Sequence, residues 1–129
     1  MIVINKSNHG MGDMKGGYAP KHELLIYCTK GKHVLNRVNK RKNNVFDLPV
    51  LYSGVHHYHP NEKPLSWFEP FIEESSNVGD VILDPFMGSG SLGIKCIDMS
   101  RKYIGYEIDE QYYYVAKDRL IGHINNEKS

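Results

Sequence analysis

Residues 80–109, DVILDPFMGSGSLGIKCIDMSRKYIGYEID, decide the fold of this 129-residue chain. Apolar runs alternate here with short turns and with helical periodicity. The predicted order is a strand at Asp80–Asp84, a turn at Pro85–Gly90, a helix at Ser91–Met99, a strand at Tyr103–Glu107 and a helix at Glu110–Leu120. This alternation with short links is typical of an α/β domain whose strands are parallel and joined by a right-handed crossover.

The turn itself predicts a nucleotide-type ligand. Residues 88–93 (GSGSLG) fit the pattern G-x-G-x-x-G directly after a strand and at the start of a helix. Small residues let the backbone approach a ligand closely, and a helix N-terminus offers unpaired N–H groups. Glu107 follows Gly88 by 19 residues and ends the next predicted strand, where an acid can accept hydrogen bonds from ribose hydroxyls.

Two ligand classes fit such a turn. A dinucleotide would place its pyrophosphate over the helix start, whereas an adenosyl cofactor would bring an amino-acid tail. Asp84 ends the first strand just before Pro85. Because its carboxylate would repel a pyrophosphate and attract an ammonium group, the sequence favours the amino-acid cofactor. An NAD-binding oxidoreductase fragment stays open as an alternative that rests on the glycine pattern alone.

The elements before residue 80 are less regular. The sequence predicts a buried strand at His22–Cys28, a short strand at Ile2–Ile4, an exposed basic loop or frayed helix at 29–44, an extended stretch at Phe46–Val55, and an amphipathic helix after Pro64 with Leu65, Phe68 and Ile72 on its apolar face. Cys28 and Cys96 are expected to be buried free thiols. Among three consecutive tyrosines, Tyr112 is expected to be buried.

Several segments together resemble one enzyme family. Residues 59–64 (HPNEKP) are similar to its His-Pro-Thr-Gln-Lys-Pro segment, residues 84–91 (DPFMGSGS) to its cofactor loop, and residues 104–109 (IGYEID) to its following strand. Residues 21–27 and 44–49 resemble its upstream segments. Over residues 18–120 the chain resembles the DNA methyltransferases that modify exocyclic amino groups (adenine N6 or cytosine N4). It resembles the C-terminal, cofactor-binding part of their permuted, beta-type arrangement, from restriction-modification systems.

The resemblance implies a partial Rossmann-like S-adenosylmethionine-dependent methyltransferase fold, a three-layer αβα class. It implies that Glu107 holds the ribose hydroxyls and that Asn61 and Lys63 close over the cofactor. The loop would form the floor under the methionine part. The residues expected at the S-adenosylmethionine site are Asn61, Lys63, Asp84, Pro85, Phe86, Gly88, Ser89, Gly90, Glu107 and Ile108.

The catalytic motif of that family, a polar residue followed by Pro-Pro and an aromatic, does not occur in these 129 residues. No catalytic residue is therefore assigned to this chain. The resemblance implies a fragment with exposed sheet edges that needs a complementary polypeptide carrying the motif, or a homo-oligomer. A non-catalytic remnant that binds cofactor or DNA is the alternative.

Charge divides the chain unevenly. Residues 1–58 hold nine Lys/Arg against three Asp/Glu, whereas residues 59–129 hold seven against twelve. The basic part would contact DNA phosphates in the place where the family keeps its target-recognition segment. The residues expected at DNA are Lys30, Lys32, Arg37, Lys40, Arg41 and Lys42. We expect one structural domain overall, with roles divided between residues 1–58 and 59–129.

Metal binding and export are not expected. His56, His57 and His59 lack Cys, Asp or Glu at ligand spacing, so no metal site is predicted. The first residues do not have the charged leader and apolar run of a signal peptide, which indicates a cytoplasmic protein.

Overall fold

The computed structural model describes residues 1–6, 15–32, 35–36, 43–50, 58 and 62–127. Contacts divide the chain into two compact units, Met1–Val50 and Leu51–Ser129. The division of roles between residues 1–58 and 59–129 stays a prediction. Among the helices that the structure describes, none combines the length and the apolar character needed to cross a membrane.

The first unit contains a three-stranded sheet with β1 at its centre. β1 (Ile2–Lys6) pairs antiparallel with β2 (His22–Leu25) and parallel with β3 (Val45–Leu48). Ile4 of the central strand is fully buried. The strand predicted at Ile2–Ile4 is confirmed. The extended stretch predicted at Phe46–Val55 is confirmed for residues 46–48, whereas residues 51–55 lie outside the described part.

The prediction of a buried strand at His22–Cys28 was wrong in two respects. The strand ends at Leu25, and its side chains are largely exposed: Leu24 is 55% and Leu25 39% accessible. The physical reason is its place in the sheet, because β2 is an edge strand that pairs only with β1 among the described residues. Cys28 is a free thiol as predicted but is exposed, not buried, since it follows this edge strand.

The second unit begins its regular structure after Pro64 with a broken helix. A 3₁₀ turn at Leu65–Trp67 is followed by α1 (Glu69–Ser75), so the predicted single helix is two short pieces. Pro70 explains the break, because a residue without an N–H is tolerated only in the first turn of an α-helix. Trp67 and Ile72 are the buried apolar residues of this stretch.

The remaining elements confirm the predicted alternation. They are β4 (Val81–Asp84), α2 (Ser91–Asp98), β5 (Lys102–Gly105) and α3 (Glu110–Glu127). β4 and β5 are parallel, as predicted, with Val81 opposite Lys102 and Asp84 opposite Gly105. The carboxyl ends of both strands therefore lie at the same edge, where the predicted cofactor loop leaves β4.

Helix α2 packs on β5, and α3 packs against α2. At Gly93 of α2 a Cβ would lie 2.7 Å from the Tyr103 ring of β5 and 2.8 Å from Leu120 of α3, so the three elements meet at a position that needs glycine. Cys96 and Ala116 are fully buried beside it. Tyr112, expected to be buried, is only half-buried near the start of α3.

The opposite face of β4 and β5 is exposed and apolar. Val81, Leu83 and Ile104 are 58%, 59% and 47% accessible, whereas Ile82 and Tyr103 on the helix side are half-buried. Within the described residues, helices thus cover one side of this sheet. A layer on the other side would complete the three-layer arrangement.

Candidate cofactor site

Backbone hydrogen bonds hold the loop from Asp84 to Ser91 against the end of β5. Met87 N–H donates to the Tyr106 carbonyl at 2.9 Å, and Tyr106 N–H donates to the Asp84 carbonyl at 2.8 Å, so the loop is tied to the strand exit of β5. Gly90, which caps α2, has φ +76°, a conformation that glycine adopts without strain. A Cβ there would lie 3.2 Å from Ala116 Cβ, so α3 also presses against the loop.

Glu107 connects the loop to the end of β5. Its Oε2 accepts the Gly88 N–H at 2.9 Å and its Oε1 accepts the Asp109 N–H at 3.0 Å. The hydrogen bond from Asp109, with that from Gly88, holds the pKa of Glu107 below its ordinary value. A carboxylate has about four lone-pair positions. The ionised Glu107 carboxylate therefore keeps free acceptor positions beside the loop.

Asp84 is oriented in a similar way on the neighbouring strand. Its Oδ1 accepts the Phe86 N–H at 3.1 Å, and its Oδ2 accepts the Tyr103 hydroxyl at 3.0 Å. Burial, and then the charge of Asp84, raises the pKa of Tyr103, so the hydroxyl stays protonated and acts as the hydrogen-bond donor to Asp84. Two carboxylates, one at the end of β4 and one just beyond β5, thus border the glycine loop.

A buried ion pair lies under the same loop, and the sequence did not predict it. Arg119 Nη1 lies 2.6 Å from Glu62 Oε1, with the two side chains 18% and 6% accessible. Burial opposes ionisation of Glu62, but the Tyr58 N–H and Arg119 outweigh it, so the pKa of Glu62 lies below its ordinary value. A sequence signal exists for Arg119: it follows Ala116, an apolar position of the predicted helix, by three residues, which places both on one face of α3.

The other residues predicted at the cofactor are placed in different ways. Phe86 is 88% exposed, Ile108 is fully exposed and Pro85 is exposed, while Ser89 is buried. Lys63 Nζ lies 5.3 Å from the centre of the Trp67 ring, which places it over that ring. Asn61 lies outside the described residues. The structure therefore brings the loop, Asp84 and Glu107 together, and the assignment of all these residues to a cofactor stays a prediction.

The residues predicted to contact DNA are only partly described. Lys30 and Lys32 are exposed in the first unit. Arg37, Lys40, Arg41 and Lys42 lie outside the described residues, as do His56, His57 and His59. Elsewhere, Asp98, His123 and Glu127 place one possible ligand atom each within 4.8 Å of one another. Lys95 Nζ lies 3.4 Å from Asp98, where it would repel a cation.

Comparison with known proteins identifies the family. The profile of the N6/N4 family, described as DNA methylase, matches residues 1–118. The chain is 32% identical to the type II methyltransferase M.HpaI of Haemophilus parainfluenzae over 90% of this chain and 43% of that protein. It is 44% identical to the putative methylase YubD of Escherichia coli (strain K12) over 78% of this chain and 42% of that protein. The chain thus spans less than half the length of these relatives.

Solved structures agree with this assignment. The crystal structure of the M1.HpyAVI–SAM complex matches with a TM-score of 0.73 and 32% identity, over 92% of this chain and 60% of that chain. TTHA0409 from Thermus thermophilus, complexed with S-adenosyl-L-methionine, matches with a TM-score of 0.59 and 21% identity over 95% of this chain and 52% of that chain, which shows the fold alone. The α/β, partial Rossmann-like methyltransferase fold is confirmed. The chain belongs to the N6/N4 family of DNA methylases.

Proposed function

We propose that this chain binds S-adenosylmethionine at the carboxyl edge of β4 and β5, for methyl transfer to an exocyclic amino group of adenine or cytosine in DNA. The observation that carries the proposal is Glu107. Its carboxylate accepts the Gly88 and Asp109 N–H groups, 2.9 and 3.0 Å away, and keeps acceptor capacity for a ribose diol. That the M1.HpyAVI and TTHA0409 structures contain this cofactor supports the choice of ligand.

The methionine end of the cofactor would lie nearer to Asp84. Its carboxylate would attract the ammonium group, and the N–H groups at the start of α2 would favour the carboxylate of the amino acid. Phe86, exposed on the loop, would form part of the floor under the methionine chain, and the exposed Ile108 offers apolar surface beside it. Asn61 and Lys63 would close the site from the other side.

The binding test is calorimetric titration of the purified chain with S-adenosylmethionine, with a nicotinamide dinucleotide as the competing ligand. Glu107→Gln should weaken S-adenosylmethionine binding at least about tenfold, since it replaces a charged acceptor by a neutral one. Glu69→Gln, which removes a carboxylate outside the loop, is the matched control and should leave affinity unchanged. Preference for the dinucleotide would instead favour an oxidoreductase fragment, and a folded chain that binds neither ligand would contradict the proposal.

Transfer of the methyl group needs a catalytic motif from outside these 129 residues. The exposed face of β4 and β5, with Val81, Leu83 and Ile104, is an apolar surface that a neighbouring layer would cover. We propose that a complementary chain covers this face, and that this chain carries the Pro-Pro-aromatic motif. A homo-oligomer would leave the motif missing, so it could cover the face without restoring activity.

A transfer assay with methyl-tritiated S-adenosylmethionine and DNA tests this requirement. The chain alone should bind cofactor and incorporate no label, and a polypeptide that supplies the motif should restore incorporation. Incorporation by the chain alone would overturn the requirement. Binding without restoration would favour the non-catalytic remnant.

The basic segment, residues 29–44, would bind DNA through its phosphates. We propose that this takes place in the cytoplasm. Lys30 and Lys32 are exposed at the start of the segment. Contacts of this kind make binding salt-dependent, with the slope of log affinity against log salt falling by about one for each lost phosphate contact. Lys30→Ala and Lys32→Ala should therefore lower the slope measured by fluorescence anisotropy on duplex DNA. An unchanged slope would remove these two residues from the DNA surface.

A further inference from the structure

Arg119 occupies a position between three parts of the second unit. Its Nη1 lies 2.6 Å from Glu62 Oε1, 3.2 Å from the Ser89 carbonyl, and 3.3 and 3.2 Å from the hydroxyls of Ser89 and Ser91. One terminal guanidinium nitrogen carries two hydrogens, so these four oxygens share its donors. A helix side chain thus contacts the cofactor loop, the first residue of α2 and the segment that contains Glu62.

The other side of the guanidinium is also covered. Its central carbon lies 4.5 Å from the centre of the Tyr58 ring, a stacking distance for arginine on an aromatic face. Tyr58 N–H in turn donates to Glu62 Oε2 at 2.9 Å, and the Ser91 hydroxyl donates to Glu62 Oε1 at 3.1 Å. Glu62 therefore has partners on both oxygens, and these partners come from α3 (Arg119), from the loop (Ser91) and from the neighbouring Tyr58.

We propose that Glu62 and Arg119 are positioning residues that hold each other, and the Tyr58 backbone bonded to Glu62, against the cofactor loop, and that they thereby set the affinity of the loop for the amino-acid end of S-adenosylmethionine. This inference rests on the proposed function. Arg119 reaches the loop at Ser89 and Ser91, next to the start of α2, whereas Glu107 meets the loop at Gly88. A loosened pair should therefore disturb the methionine side more than the ribose side.

The charge of the pair matters for the design of variants. Removing Arg119 leaves a buried carboxylate without its cation, which is more harmful than removing both charges. Arg119→Gln should consequently weaken S-adenosylmethionine binding by about tenfold or more, and adding Glu62→Gln to it should recover part of that loss. A purely independent action of the two residues predicts that the double variant binds more weakly than either single variant.

The readout compares two ligands on the full chain by calorimetry: S-adenosylmethionine, and 5′-methylthioadenosine, which lacks the amino-acid end. Arg119→Gln should lower affinity for the first about tenfold and for the second about twofold or less, in line with the place of the contacts. A merely structural role would lower both affinities equally. Melting temperatures, measured first, identify any variant that fails to fold, and the milder Glu62→Gln then carries the comparison.

Arg101→Gln is the matched control. Arg101 is another part-buried arginine with several hydrogen bonds, to the Ser76 hydroxyl at 3.2 Å, the Ser76 carbonyl at 2.8 Å and the Met99 carbonyl at 2.7 Å. It precedes β5, at the end of the strand away from the loop. The Arg101→Gln variant should be less stable, with an unchanged ratio of the affinities for S-adenosylmethionine and 5′-methylthioadenosine. Equal losses of affinity for both ligands in Arg119→Gln would overturn the positioning role but leave the proposed function standing. A folded wild-type chain that binds neither ligand would overturn both.

Discussion

Replacing Gly90 by alanine would test how the cofactor loop is built. The new Cβ would meet Ala116 Cβ at 3.2 Å, Ala116 Cα at 3.5 Å and Leu120 at 3.5 Å, at a residue with φ +76°. The left-handed conformation costs an alanine about 1–2 kcal/mol, and crowding a packed interior adds about 1–3 kcal/mol. We expect Gly90→Ala to destabilise the second unit by roughly 2–5 kcal/mol.

Thermal unfolding followed by circular dichroism measures this effect. In a unit of this size each kcal/mol lowers the melting temperature by about 4–8 °C, so the expected decrease is at least about 8 °C. Two other glycines separate the causes. Gly79 has φ +85° with nothing within 4 Å of a Cβ, so its alanine variant should show the strain alone, about 1–2 kcal/mol.

Gly122 provides the opposite control. It lies inside α3, has nothing within 4 Å of a Cβ and has no positive φ, so alanine there should stabilise the helix by up to about 1 kcal/mol. The expected order of melting temperatures is Gly122→Ala above wild type, then Gly79→Ala, then Gly90→Ala. A Gly90→Ala variant that melts at or above the Gly79→Ala temperature would refute the close approach of α3 to the loop.

Three further outcomes follow from the ionisable groups. Glu107→Gln should weaken cofactor binding at least about tenfold in calorimetry, and unchanged affinity would remove this acid from the site. Burial raises the pKa of the Cys96 thiol to about 11, so at pH 8 a disulfide reagent should modify one thiol per native chain, the exposed Cys28, and rapid loss of both would contradict the buried position. The pKa of Glu62 is lowered on folding from 4.5, so its ionised form stabilises the fold at neutral pH, and this contribution is lost as the pH falls below 4.5. The difference in unfolding free energy between wild type and Glu62→Gln should therefore shrink in acid, and a constant difference from pH 7 to pH 3 would count against an ionised Glu62.

The part of the fold that the sequence predicts well is the part that is local. The order of β4, α2, β5 and α3 follows from apolar periodicity and from one glycine turn, because each element is specified by neighbouring residues. The carboxylates Asp84 and Glu107 follow from the same pattern, since parallel strands bring their carboxyl ends to one edge.

The parts that the sequence does not predict depend on distant contacts. Glu62 and Arg119 are 57 positions apart, and no spacing rule joins them. The exposure of β2 has the same origin, because an apolar strand is buried or exposed according to its place in the sheet and not according to its own composition. The break between the 3₁₀ turn and α1 has a different origin. Pro70 is present in the sequence, but its effect depends on the residue at which the α-helix begins.

The backbone bonds at Glu107 have a consequence for the thermodynamics of cofactor binding. Gly88 and Asp109 bond to both carboxylate oxygens, so the rotamer freedom of this side chain is lost on folding. In the proposed complex, binding would order little of the protein at this point, and the entropic penalty of complex formation would fall mainly on the ligand. A flexible chain of methylenes and a sulfonium centre would lose its freedom, while the acid that receives the ribose would hardly move.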